Sequence, residues 1–112
     1  MTFTMNDEKW EIKEVDKQYL IDRYNKEHEE PCTYAFGLCD YPNHIIWITD
    51  ELCVDQKRRT LLHELMHCYL WCYGANIDNL HEENICDYSA SAHYIIHKII
   101  LKIDNHLHIW YN

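Results

Sequence analysis

The run His44-Ile45-Ile46-Trp47-Ile48-Thr49 constrains this chain more than any other stretch. Its aromatic and β-branched residues suit a pleated strand, yet it lacks the alternation of a strand with one wet face. Such a strand must be largely buried or lie beside a groove. Just before it, Asp40-Tyr41-Pro42-Asn43 is turn chemistry, and Thr33 to Cys39 is again rich in strand formers. The two arms therefore read as a hairpin.

Around this hairpin the other elements follow from local pattern. Lys9 to Val15 alternates polar and apolar residues and predicts a strand. Asp16 is placed to cap a helix in which Tyr19, Leu20, Arg23 and Tyr24 share a face, and Pro31 would stop it. Asp55 predicts the cap of a long helix running to about Tyr73, with Gly74 as its stop. Leu61, Leu62, Leu65, Met66, Tyr69 and Leu70 give that helix a wide apolar face. A polar loop, Ala75 to Leu80, leads to a last helix from Glu82 to about Ile103. We expect one α+β domain over residues 1–112, a short antiparallel sheet packed on helices. A chain of this length buries a modest share of its surface, so a bound metal would help to hold it.

Inside the long helix lies His63-Glu64-Leu65-Met66-His67. Four residues are just over one helical turn, so both imidazoles leave the same face and can grip one ion. Glu64 stands about 100° round the helix, off the ligand face but near it. There it is suited to take a proton from a water activated by the ion. The bland alternative is a pair of surface histidines; the amphipathic helix, the hairpin before it and the acidic cluster after it favour a metal.

Two histidines leave zinc short of a ligand, because a catalytic site takes three protein ligands and a water. A continuation with Gly at 70 and His at 73 is absent, since those positions hold Leu70 and Tyr73. The cluster His81-Glu82-Glu83-Asn84-Ile85-Cys86-Asp87 offers acidic alternatives at the start of the last helix. Glu83 and Asp87 are four apart, hence on one face, with Glu83 suited to bind and Asp87 to hold a ligand imidazole from behind. Glu82, Asp87 and His81 stay open as other third ligands, and Glu82 also fits a plain acidic first turn facing the helix dipole.

On these residues the stretch from Asn43 to Ala92 resembles the ImmA/IrrE family of metallo-endopeptidases, common in phages and mobile elements. The likeness rests on the strand His44 to Thr49, on Thr60-Leu61-Leu62-His63-Glu64-Leu65-Met66-His67, and on Glu83-x-x-Cys86-Asp87-x-x-Ala90. The family's third-ligand segment usually reads Glu-x-x-Ala-Asn-x-Phe-Ala; Cys86, Asp87 and Ser89 depart from it, while Glu83 and Ala90 keep their places. Gly37-Leu38-Cys39-Asp40-Tyr41 also has the flavour of phage-encoded members. The resemblance implies a zincin-like fold, one zinc per chain on His63, His67 and Glu83, and Glu64 as general base. It also suggests a protein or peptide substrate such as a transcriptional repressor. The substrate is expected to lie extended along the strand near Trp47, by the backbone pairing that sheet edges offer. The rival reading is a non-enzymatic, zinc-stapled module that binds a regulator.

The net charge of −9 disfavours nucleic acid and anionic membrane as partners. No stretch approaches the ~20 apolar residues of a membrane helix, and Met1 to Trp10 has no apolar signal core, so the expected location is cytoplasmic. In a reducing compartment the six cysteines, Cys32, Cys39, Cys53, Cys68, Cys72 and Cys86, are read as small core-filling residues. His93 and His97 are read as a helix face or pocket wall. Tyr41, Tyr88 and Tyr94 are candidate donors to a developing oxyanion.

Overall fold

The computed structural model describes residues 1–27, 36–74 and 82–107, with side chains throughout except at 27, 82–88, 90 and 107. Its described elements are β1 (Thr2–Met5), β2 (Glu8–Val15), α1 (Lys17–Glu27), β3 (Gly37–Asp40), β4 (Ile45–Thr49), α2 (Val54–Tyr73) and α3 (Glu82–Leu107). The strands form one sheet in the order β1-β2-β4-β3. The α+β class holds, but the sheet is mixed. β1 pairs antiparallel with β2 and β3 antiparallel with β4, whereas β2 and β4 run parallel in the middle, with Ile12 opposite Ile46. The expected all-antiparallel sheet is corrected for a physical reason. Parallel neighbours need a long crossover connection, and α1 and β3 supply it between Val15 and Ile45.

The first strand was not anticipated. Asn6 and Asp7, both at positive φ (52° and 63°), make the two-residue turn that matches the twist of a tight hairpin and pair Met5 with Glu8. At the other end of β2, the Asp16 Oδ1 accepts from the Tyr19 N–H at 2.9 Å and caps α1 as expected. The capping expected of Asp55 is corrected. α2 begins at Val54 with Cys53 in the cap position and no side-chain cap bond, and Asp55 stands in the first turn. Gly74 does end α2, though its backbone is extended rather than left-handed. A Cβ there would come within 2.8 Å of the Leu70 carbonyl oxygen, so close approach explains the glycine. The loop 75–80 lies outside the described residues, as do Thr33, Tyr34 and Ala35 of the first hairpin arm and Pro31.

β4 is buried on both faces, as its unbroken apolar run demanded. Ile46 and Ile48 point into the main core, with Phe3, Trp10 and Ile12 from the neighbouring strands. Leu61, Leu65, Cys68 and Tyr69 of α2 close that core with Ala92, Ile96, Ile99, Ile100 and Ile103 of α3. On the opposite face Trp47 and Leu38 pack on Leu20 of α1, with the Arg23 guanidinium 4.7 Å from the Trp47 ring centroid. Cys39 and Cys68 fill the main core as free thiols with their Sγ atoms 3.6 Å apart. Cys53 is instead exposed and Cys72 half-buried, while Cys32 and the side chain of Cys86 lie outside the described residues. Among the described residues no helix is long and apolar enough to cross a membrane.

Candidate metal centre

The middle turns of α2 bring His63 and His67 together on the side away from the core. Their Nε2 atoms lie 3.1 Å apart and their rings meet edge to face, with centroids 4.8 Å apart. Two nitrogens bound to one tetrahedral zinc at 2.0–2.1 Å would be about 3.3 Å apart, so this pair fits an ion with little adjustment. Burial and the neighbouring His63 lower the pKa of His67, which favours the neutral imidazole that ligates metals.

Glu64 turns the other way, toward the sheet, and is 5% exposed. Burial pushes its carboxyl up to about 7. β3 passes directly against it: a Cβ built on Gly37 would stand 3.1 Å from Glu64 Oε1 and 2.8 Å from Thr60 Cγ2. A side chain at this position would crowd both Thr60 and the carboxylate. Gly37, His63 and Glu64 line two hollows, which adjoin along these three residues. One, of about 450 Å³, continues past His67 to Tyr41 and Pro42; the other, of about 370 Å³, extends to Phe36, Thr60 and Arg59.

Tyr41 is held over the site by the turn between β3 and β4. Buried Asp40 organises that turn, accepting from the Asn43 N–H at 3.3 Å and Asn43 Nδ2 at 3.0 Å. It also pairs with Arg23 of α1. Although burial alone would raise the Asp40 pKa, the bonds from Asn43, Arg23 and Trp47 outweigh it and hold the carboxylate ionised. The Tyr41 hydroxyl moves up to about 12, through burial first and then the charges of Cys39 and Glu64, so it remains a donor. Tyr94, by contrast, is 63% exposed and lies beside Lys98 on α3, and the Tyr88 side chain is outside the described residues.

Among the described residues no three His, Cys, Asp or Glu side chains converge as an ion-binding group. The side chains of the candidates Glu83, Glu82 and Asp87 lie outside the described ones, as does His81 altogether. Backbone positions 82, 83 and 87 belong to the first turns of α3, whose body packs on α2 in the shared core. His93 and His97, with ring centroids 6.0 Å apart, form one wall of a separate groove against Leu62 and Met66.

One expectation about the substrate is corrected. Trp47 faces α1, away from the histidines, and β4 is flanked on both sides by β2 and β3. The strand that borders the histidine cavity and ends the sheet is β3. The sequence placed the aromatic hairpin near the site correctly but chose its inner arm; strand order is set by the crossover, which local pattern does not reveal. Gly37 was legible as one of only two glycines in the chain. Its contact with Glu64 was not.

Comparisons with protein-family profiles, with curated proteins and with solved structures found no match for this chain.

Proposed function

We propose that the chain is a small zincin-like metallo-endopeptidase of the ImmA/IrrE kind, cutting a peptide bond in a protein substrate. The observation that carries this reading is the pairing of two converging imidazole Nε2 atoms with a buried carboxylate one residue along, all opening on one cavity. His63 and His67, with Glu83 from α3, would hold one zinc. When bound, the metal supplies Lewis-acid polarisation of the scissile carbonyl and makes water acidic enough to ionise near neutrality.

The protein's own groups do the rest. A Glu64 carboxylate oxygen takes the proton of the attacking water and passes it to the departing amide nitrogen. Its burial suits both halves of that task, since a carboxyl titrating near 7 both accepts and releases a proton at neutral pH. The Tyr41 hydroxyl donates to the oxygen that gains charge as the carbonyl becomes tetrahedral. Gly37 keeps β3 close enough to hold Glu64 in place. A repressor as natural substrate, and a cytoplasmic location, are proposed on the family resemblance.

Elemental analysis of the purified chain is expected to find about one zinc per molecule, and none in His63→Ala or His67→Ala. No bound transition metal after incubation with zinc at neutral pH would overturn the proposal.

A further inference from the structure

The two hollows share Gly37, His63 and Glu64 and so adjoin as one groove, with aromatic residues toward one end and a basic residue toward the other. At one end Tyr41 lines the cavity and stacks on Trp71 of α2, with centroids 4.9 Å apart and planes at 25°. Trp71 is 55% exposed, one helical turn beyond His67. A large aromatic ring left in water beside a cavity offers a flat apolar wall to a ligand side chain. At the other end exposed Arg59 lines the hollow beside Phe36 and Thr60. Its neighbours Lys57 and Arg58 are engaged by Glu14 and Asp55, while Arg59 has no carboxylate partner among the described residues. In a chain of net charge −9 it is a local reversal of sign.

β3 forms the wall common to both hollows and is the last strand of the sheet among the described residues, running from Gly37 at the Arg59 end to Asp40 at the Tyr41 end. An extended peptide adding to that edge pairs best antiparallel. Its amino-terminal half then lies toward Tyr41 and Trp71 and its carboxyl-terminal half toward Arg59. We infer that the groove selects peptides with a large apolar or aromatic residue on the amino side of the scissile bond and an acidic residue on the carboxyl side. Trp71 and Arg59 are the specificity-determining residues. This inference takes the cleavage from the proposed function, but the selectivity is a property of the groove and is measurable without it.

The test uses two peptides of identical composition, one with Phe before and Glu after a central Ala-Ala pair, the other with Phe and Glu exchanged. Calorimetry with the Glu64→Gln protein is expected to show the first bound about 10-fold more tightly. Trp71→Ala should erase the preference for Phe over Ala. Arg59→Glu should turn a preference for Glu over Lys into the reverse, by about 5-fold and less at high salt. Equal binding of the two peptides, no binding of either, or discrimination unchanged by both variants would overturn the inference. Cleavage by the zinc-loaded wild type separates the two claims. Selective binding without cleavage sinks the peptidase reading and keeps the groove; cleavage without selectivity does the opposite.

Discussion

Gly37 shows how little room surrounds Glu64. With Thr60 Cγ2 2.8 Å and Glu64 Oε1 3.1 Å from the position of a Cβ, Gly37→Ala must displace β3 or the Thr60 methyl and press on the carboxylate. Zinc content should be unchanged, while kcat/KM on a cleaved peptide should fall on the order of 10-fold or more, since small misplacements of a catalytic group are costly. Undiminished activity would mean that β3 does not position Glu64. The same burial has a thermodynamic consequence in the metal-free protein. The Glu64 carboxyl is raised from 4.5 to about 7, so the folded state binds more protons than the unfolded one between those values. Its contribution to stability is fully present below about pH 4.5 and is lost as pH rises through about 7. His67, with its lowered pKa, acts in the opposite sense, so the informative quantity is the difference between wild type and Glu64→Gln. With metal removed, the variant should gain on the order of 3 kcal/mol over wild type between pH 4 and about 8, read from urea midpoints. A constant difference across that range would contradict the burial described here. At this scale the histidine spacing was legible because it is a property of one helix. Tyr41 was named as a candidate donor and Gly37 stood out as one of two glycines, but their nearness to Glu64 was not legible, because it depends on which strand lies at the sheet edge.

At the scale of elements, the proposed site divides between two helices. α2 carries both histidines and Glu64, the proposed base, and α3 is expected to deliver the third ligand from its first turns. Glu83→Ala should weaken zinc affinity sharply and Glu82→Ala little, with Asp87→Ala between them at roughly 10- to 100-fold, as for a residue that steadies a ligand imidazole. Competition with a calibrated chelator measures all three. Damage from Glu82→Ala alone would mean that the ligand register of α3 is one residue from the one assigned. The sequence located α2 and α3 well, since 3.6-residue periodicity in long helices is a strong signal. It was weaker at the start of α2, where an exposed Asp55 offered capping chemistry but the turn is made by Cys53 without any side-chain bond. It was weakest for the sheet: alternation marks β2 and an unbroken apolar run marks β4 as buried, but neither says anything of their parallel pairing, which follows from the path of α1.

In the molecule as a whole, α1 covers one face of the sheet while α2 and α3 cover the other. The histidine pair therefore sits where α2 crosses the β3 end. The apolar run of β4 already required cover of this kind, and the core it builds leaves α2 anchored by Leu61, Leu65, Cys68 and Tyr69. That anchoring lets a charged and polar face be presented to the groove without disturbing the fold. The central claim is that this face performs hydrolysis and that zinc is more than a staple. Zinc content and peptide cleavage, measured side by side for wild type and Glu64→Gln, test it most directly. The variant should retain about one zinc per chain and its fold while cleavage falls by several orders of magnitude. Loss of zinc from the variant, or equal effect of both proteins on the target, would contradict it.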